Sequence, residues 1–272
     1  MDGLGCVGHR YKLGELYCGP GGIAHAAMGT NVRSETARLS IGHAWATDID
    51  LNTCETYKAN IYGADDETVH CKDVRQLEFG KLGKIDALAF GFPCNDFSVV
   101  GEQKGINGSY GPLYSYGVKA LDHFKPDWFL AENVGGLRSA NGGNTLDIIL
   151  RELSEAGPSG YDISPHLYRF EQYGIPQSRH RIIIIGFRSD LGLKFKIPAP
   201  TTKDKDQMLT CREAIEGTPF PEDVTNNEKT RQSQAVIDRL EHIKPGQNAF
   251  NSNLPDEHKL NVKGARLSQI YK

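Results

Sequence analysis

Apolar runs alternate with amphipathic stretches through the first 198 residues. Five short runs, at 15–18, 44–48, 85–90, 128–131 and 182–187, have the length and apolar density of buried strands. Between them lie stretches with helical character at 23–28, 52–60, 113–124 and 145–156. In the last of these, Leu146, Ile149, Leu150 and Leu153 recur at the spacing of one helix face. Strand–helix alternation of this kind predicts an α/β domain: a mostly parallel sheet with helices on both faces. Residues 199–272 read differently. Only 22 of these 74 residues are apolar, and Val236, Leu240 and Ile243 predict a single helix that Pro245-Gly246 ends. The pattern therefore divides the chain into a domain over 1–198 and a polar extension over 199–272.

Composition narrows the class of protein. The chain is 39 % apolar and 24 % charged, with 30 glycines, which is ordinary for a globular protein. The longest strongly apolar stretch, 182–187, is too short to cross a bilayer, and the first residues carry no apolar signal core, so a cytoplasmic protein with no membrane partner is expected. None of the six cysteines has C-x-x-C spacing, which disfavours a zinc ribbon, and no metal is expected. Net charge is −3, with 20 basic against 23 acidic residues over 1–198 and 11 against 11 beyond. Charge alone does not point to nucleic acid; that reading has to come from the chemistry of a site.

Four motifs carry that chemistry. The first is Leu16-Tyr-Cys-Gly19-Pro-Gly21-Gly22, a strand running through a glycine turn into a helix. Such a turn lets backbone approach a ligand closely. Asp48, at the end of the next strand, can accept two ribose hydroxyls, although Asp48 and Asp50 also suit a helix N-cap. The second is Gly91-Phe-Pro-Cys94-Asn-Asp-Phe-Ser98, which puts a cysteine with polar neighbours on a turn just beyond a strand, where open α/β sheets place ligands. A nucleophile and a buried thiol are both compatible with Cys94. The loop after it has four glycines, at 101, 105, 108 and 111, and reads as a lid or an ordinary loop. In the third, Ala131-Glu132-Asn133-Val134, a carboxylate at a strand tip among apolar residues needs a partner. The fourth, Gln172-Tyr-Gly-Ile-Pro-Gln177-Ser-Arg179-His-Arg181, places two guanidiniums at alternate positions, so that on a strand they share a face and can bind a phosphate or steady a carboxylate.

Taken together, in this order and over about residues 14–190, the motifs resemble those of the cytosine carbon-5 methyltransferases, chiefly the bacterial DNA-modifying kind. The resemblance implies a Rossmann-like fold that binds S-adenosylmethionine and yields S-adenosylhomocysteine. Tyr17, Gly19, Gly21 and Gly22 would line the cofactor pocket, Asp48 would hold the ribose, Ile49 would pack on adenine and Asp73 would meet the adenine amino group. Pro93 and Leu113 match positions at the cofactor's edge. Cys94 matches the nucleophile that adds to carbon-6 of a flipped cytosine. Glu132 would hydrogen-bond the base, and Arg181 with Arg179 would hold the base and its phosphate region. Pro93, Asn95, Ser98, Asn133 and Gln177 would contact the substrate, double-stranded DNA in the setting of restriction and modification.

The chain departs from the family pattern at Asn95, where glutamine is usual. The stretch 266–272 resembles the entry to the family's target-recognition region, and the family's closing Gly-Asn-Ser/Ala-Val-like block is not found. The expectation drawn from this is either a second polypeptide, supplying recognition and the last part of the cofactor pocket, or a chain cut at that boundary; in both cases the chain alone is expected to bind cofactor weakly and to lack sequence specificity. Two other functions share these motifs: a tRNA cytosine methyltransferase, and a catalytically silent subunit. Retention of Cys94 and Glu132 weighs against the silent subunit. The Asp/Asn-Pro-Pro-aromatic motif of exocyclic-amine methyltransferases is absent.

Overall fold

The computed structural model describes residues 7–33, 37–93, 113–138, 143–217, 224–225, 231–244, 246–250 and 252–259. The chain divides into two compact units, Met1–Ala214 and Ile215–Lys272, whereas the compositional change comes after residue 198.

An eight-stranded sheet organises the first unit. Its strands are β1 (Val7–Leu16), β2 (Asn31–Arg33), β3 (Ala37–Asp48), β4 (Val69–Cys71), β5 (Ala87–Gly91), β6 (Trp128–Val134), β7 (Tyr161–Arg169) and β8 (His180–Arg188). They lie in the order β2-β3-β1-β5-β6-β8-β7, with β4 also paired to β3. The five strands β4, β3, β1, β5 and β6 are mutually parallel, as expected. β8 and β7 then run antiparallel along one edge, and β2 runs antiparallel to β3.

The helices α1 (Gly22–Met28), α2 (Leu51–Asn60), α3 (Tyr114–Phe124) and α4 (Asn144–Glu155) cover the two faces. The tetrapeptide 87–90 shows how the sequence sorts them. Strand alternation sends Leu88 and Phe90 to one face and Ala87 and Ala89 to the other. Leu88 and Phe90 share a core with Ala120 and Leu121 of α3 and Ile149 and Leu153 of α4. Ala87 and Ala89 share the opposite core with Ala24 of α1 and Cys54 and Tyr57 of α2. Each large side chain fully buried in these layers contributes about 1.5–3 kcal/mol before the entropy of ordering is set against it.

Strand boundaries moved where polar residues pair on one side only. β1 was expected at 15–18; it starts at Val7, and its residues before Leu13 pair with β3 but not with β5. His9, Arg10 and Lys12 therefore stay exposed in a ribbon that has no apolar signature. At its other end β1 stops at Leu16, because Tyr17 turns into the left-handed region with φ of 56°.

Close packing of β8 against β6 depends on a missing side chain. Gly186 lies directly opposite Phe129, and a Cβ there would come within 2.2 Å of the Phe129 ring. Gly186→Ala is expected to lower unfolding free energy by about 1–3 kcal/mol, measurable by denaturant unfolding; an unchanged midpoint would contradict this packing.

In the second unit, α6 (Gln234–Glu241) carries Val236 and Leu240 of the expected helix but stops before Ile243, and a short helix not expected from the sequence, α5 (Cys211–Glu216), precedes it where the units divide. The Arg239 Nε donates to the His258 carbonyl at 2.7 Å.

Candidate active site at the carboxyl ends of the strands

The five parallel strands all end on one edge of the sheet, and the residues just beyond their ends form the site. After β1, Tyr17 and Gly19 (both at φ of 56°) and Gly21 (φ of 97°) reverse the chain into α1. Gly21 cannot carry a side chain, since a Cβ would meet Ile61 at 2.9 Å and Tyr57 at 3.1 Å. The turn is tied to β3 twice: the Cys18 N–H donates to the Thr47 carbonyl at 3.0 Å, and the Gly19 N–H donates to Asp48 Oδ2 at 3.0 Å.

Asp48 ends β3, and its Oδ1 accepts the Asp50 N–H at 3.1 Å. Each oxygen keeps a further lone pair for a ligand hydroxyl. Asp50 is the helix cap: it accepts the Thr53 N–H at 2.7 Å at the start of α2, and this bonding with Thr53 holds its carboxyl below the usual range. Beyond β4, Asp73 caps a short 3-10 turn at Val74–Gln76 and is forked by the Arg75 guanidinium, with Nε contacts of 2.9 and 3.0 Å. Arg75 keeps Asp73 well ionised, and any ligand amine has to share the carboxylate with it. The Tyr17 hydroxyl donates to the Leu113 carbonyl at 2.8 Å, which fixes the start of α3 against the turn.

These groups surround a cavity of about 280 Å³. Six of the residues expected at a cofactor line it: Tyr17, Asp48, Ile49, Asp73, Pro93 and Leu113. Thr47, Lys72, Val74, Arg75 and Gly91 line it as well, and sequence reading missed them. Lys72, Val74 and Arg75 adjoin Asp73, so the signal was adjacency to a residue already singled out. Gly19, Gly21 and Gly22 shape the turn rather than the lining; Gly22 faces a larger, almost wholly apolar cavity of about 660 Å³ beside α1. The smaller cavity fits a nucleoside group by its donor set. A carboxylate stands at a strand end with free lone pairs, and the apolar side chain of Ile49 lies 69 % exposed beside it.

Next to this cavity stands an ion pair. Glu132 lies on β6 in register with Gly91 of β5, and its Oε2 comes within 3.3 Å of where a Gly91 Cβ would be. The Arg181 Nε approaches Glu132 Oε1 at 2.8 Å, and the same guanidinium donates to the His180 carbonyl at 2.8 Å. The two side chains are 28 % and 22 % exposed, so the pair is partnered yet reachable. β8 begins at His180, so of the two arginines only Arg181 lies on the strand; Arg179 is exposed in the preceding turn and borders the larger apolar cavity. Gln177 is exposed in that turn, where its carbonyl accepts the Arg179 N–H at 2.8 Å. Asn133 is 2 % exposed and both its amide atoms are spent: Nδ2 donates to the Phe92 carbonyl at 3.1 Å and Oδ1 accepts the Val134 N–H. It braces the turn through Phe92 and Pro93. Cys94, Asn95, Ser98 and the glycine loop lie outside the described residues. Among the described residues no cluster of three or more potential metal ligands occurs.

Comparison with known proteins adds four findings. The family model described as C-5 cytosine-specific DNA methylase matches residues 11–271. The chain is 50 % identical to the Type II methyltransferase M.BbvI of Brevibacillus brevis, over 97 % of this chain and 71 % of that protein. It is 32 % identical to M.NgoFVII of Neisseria gonorrhoeae, over 84 % of this chain and 60 % of that one. Its fold is similar to that of a Spodoptera frugiperda DNMT2 variant, with a TM-score of 0.57 at 22 % identity, covering 86 % of this chain and 66 % of that one. These comparisons lend no support to the expected second polypeptide.

Proposed function

The chain belongs to the C-5 cytosine-specific DNA methylase family, and from that premise we propose that it transfers a methyl group from S-adenosylmethionine to carbon-5 of cytosine in duplex DNA, as the modifying arm of a Type II restriction-modification pair in the cytoplasm. The observation that carries the reading is the Glu132–Arg181 pair, set against the same Gly91 backbone that walls the cavity at the strand ends.

The cofactor supplies a methyl group on a sulfonium centre. Around it, Asp48 holds the ribose hydroxyls, Ile49 covers the adenine, Asp73 meets the adenine amine, and Tyr17 and Leu113 close the side of the cavity with Pro93. Carbon-5 of cytosine is a poor nucleophile while the ring is aromatic. Addition of the Cys94 thiolate to carbon-6 makes carbon-5 enamine-like, so that it can take the methyl group. Loss of the carbon-5 proton and expulsion of the thiolate then restore the ring. Glu132 accepts from the exocyclic amine and engages the ring edge, while Arg181 holds the carboxylate in place. Arg179, Gln177, Asn95 and Ser98 are assigned to the extruded nucleotide and its phosphates. Flipping the base costs about a few kcal/mol, which these contacts offset.

Asp48→Ala is expected to weaken S-adenosylhomocysteine binding about 10–100-fold, the worth of a charge-assisted hydrogen bond; calorimetric titration measures it, and unchanged affinity would remove Asp48 from the cofactor site. For the reaction itself, tritiated methyl groups from S-adenosylmethionine are expected on cytosine carbon-5 of duplex DNA and not on tRNA. Labelling of tRNA alone would assign the chain to the tRNA reaction.

A further inference from the structure

Beneath the glycine turn lies a buried polar chain to which the methyl-transfer reaction assigns no role. Glu15 on β1 is 1 % exposed. Its Oε2 accepts the Tyr57 hydroxyl from α2 at 2.5 Å, while its Oε1 is buried without a hydrogen-bond partner. The Tyr57 oxygen in turn lies 3.1 Å from Nδ1 of His43 on β3, and Nε2 of that ring is also buried without a partner. The carboxylate faces the Ala24 amide in the first turn of α1, which favours its charged form. Tyr57 itself leans on the turn, with Cδ2 at 3.1 Å from the position of a Gly21 Cβ. One carboxylate thus touches or faces every piece that sets the turn: α1 through Ala24, α2 through Tyr57, and β3 by way of His43.

We propose that Glu15 is a positioning residue for cofactor binding: its ionised carboxylate anchors the first turn of α1 and the glycine turn at 19–22, and protonating it loosens the cavity at the strand ends. The proposal rests on reading that cavity as the cofactor site.

The hydrogen bonds supply the mechanism. With Glu15 ionised, Tyr57 donates to it, and the Tyr57 oxygen is open to the His43 Nδ1–H. When Glu15 takes up a proton from solvent, the carboxyl O–H donates to Tyr57 and Tyr57 donates to Nδ1. The His43 proton must then sit on Nε2, where no acceptor waits. Protonation therefore reverses both hydrogen bonds and withdraws the charge that the Ala24 amide faces.

Burial pushes the Glu15 carboxyl up to about 7, against the opposing pull of Tyr57 and Ala24. The other titratable groups around the chain act as follows. The Cys18 thiol in the turn just after β1 and the Cys54 thiol of α2 are themselves pushed up by burial, and Asp48 bears on both. Asp65 faces His43 and favours its charged form, while His70 on β4 opposes it. Burial outweighs Asp65 and keeps that ring's pKa low.

Calorimetric titration of S-adenosylhomocysteine into the natural protein and its variants tests the proposal. Affinity is expected to rise at least about 3-fold between about pH 6 and about pH 8 as the carboxyl ionises. Glu15→Gln should bind at the weaker level with no such rise, and its curve also reveals any titration of the ligand itself. Tyr57→Phe, which keeps the ring packing and deletes the hydrogen bond to the charged form, should move the midpoint upward by about one pH unit. Stability gives a second readout. The folded carboxyl holds its proton well above its ordinary pKa of 4.5, so the natural protein should lose melting temperature relative to Glu15→Gln as pH rises from about 4.5 to about 7, and no further above that. A flat affinity profile for the natural protein, the same profile in Glu15→Gln, or an unmoved midpoint in Tyr57→Phe overturns the proposal alone. Absence of binding at every pH overturns the cofactor reading and the proposal with it.

Discussion

Cys94→Ala is expected to abolish methyl transfer to DNA, lowering the single-turnover rate by at least about 10⁴-fold, the scale on which removal of a covalent nucleophile acts. Of the described thiols at this edge, Cys18 is 8 % exposed with its pKa driven up by burial, and Cys71, exposed at the end of β4, lies 3.8 Å from the Ile49 carbonyl, on the side of the cavity assigned to the cofactor rather than to the base. Cofactor binding should survive, because Tyr17, Asp48, Ile49 and Asp73 reach the cavity from β1, β3 and β4 without help from the turn after β5. Loss of rate with retained S-adenosylhomocysteine affinity is therefore the expected signature. Equal loss of both would make the change a folding defect.

The second large effect belongs to the ion pair. Glu132→Gln should slow methyl transfer about 10²–10⁴-fold, the usual range for a positioned acid–base group. Arg181→Ala should fall in the same range although Arg181 stands opposite Val134, two positions along β6 from Glu132, because its Nε is what holds Glu132 Oε1 at 2.8 Å. The double variant should be little worse than either single one, since both remove one unit. Losses that multiply in the double variant would mean that the two side chains act independently. Thermal melting provides the control: the pair is only a quarter exposed, so Arg181→Ala leaves a mostly buried carboxylate unpaired, and the rates are to be compared at a temperature where each variant is still folded.

How far the amino-acid sequence predicts this arrangement depends on burial. β5 and β6 were legible because both are enclosed by paired strands and covered on both faces, which leaves a continuous apolar run. β7 was not. It is an edge strand whose alternation of apolar and polar residues breaks at Pro165-His166, and most of its side chains are half-buried or exposed, so no continuous apolar run marks it. β2 and β4 have three residues each, too few for any pattern. Asp48 was readable because it ends a strand, whereas Asp73 follows the three-residue β4 and was reached only through the family resemblance. The contact between Glu132 and Arg181 was not: it follows from the antiparallel register that sets Val134 against Arg181, and register is decided by pairing over the whole of β8. The same limit hid Asn133, whose buried amide braces the backbone at Phe92, and the fork between Arg75 and Asp73. The chain from Glu15 through Tyr57 to His43 joins three elements, and only their packing brings it together.

The most direct measurement is mass spectrometry of the covalent complex formed on duplex DNA bearing 5-fluorocytosine in place of the target base, in the presence of S-adenosylmethionine. Fluorine cannot leave as the carbon-5 proton does, so the thiol adduct should persist after methyl transfer. Peptide mapping is expected to find a methylated fluorocytosine bonded to the Cys94 sulfur. No adduct, or an adduct on any other cysteine, would contradict the assignment of this strand edge to cytosine methylation.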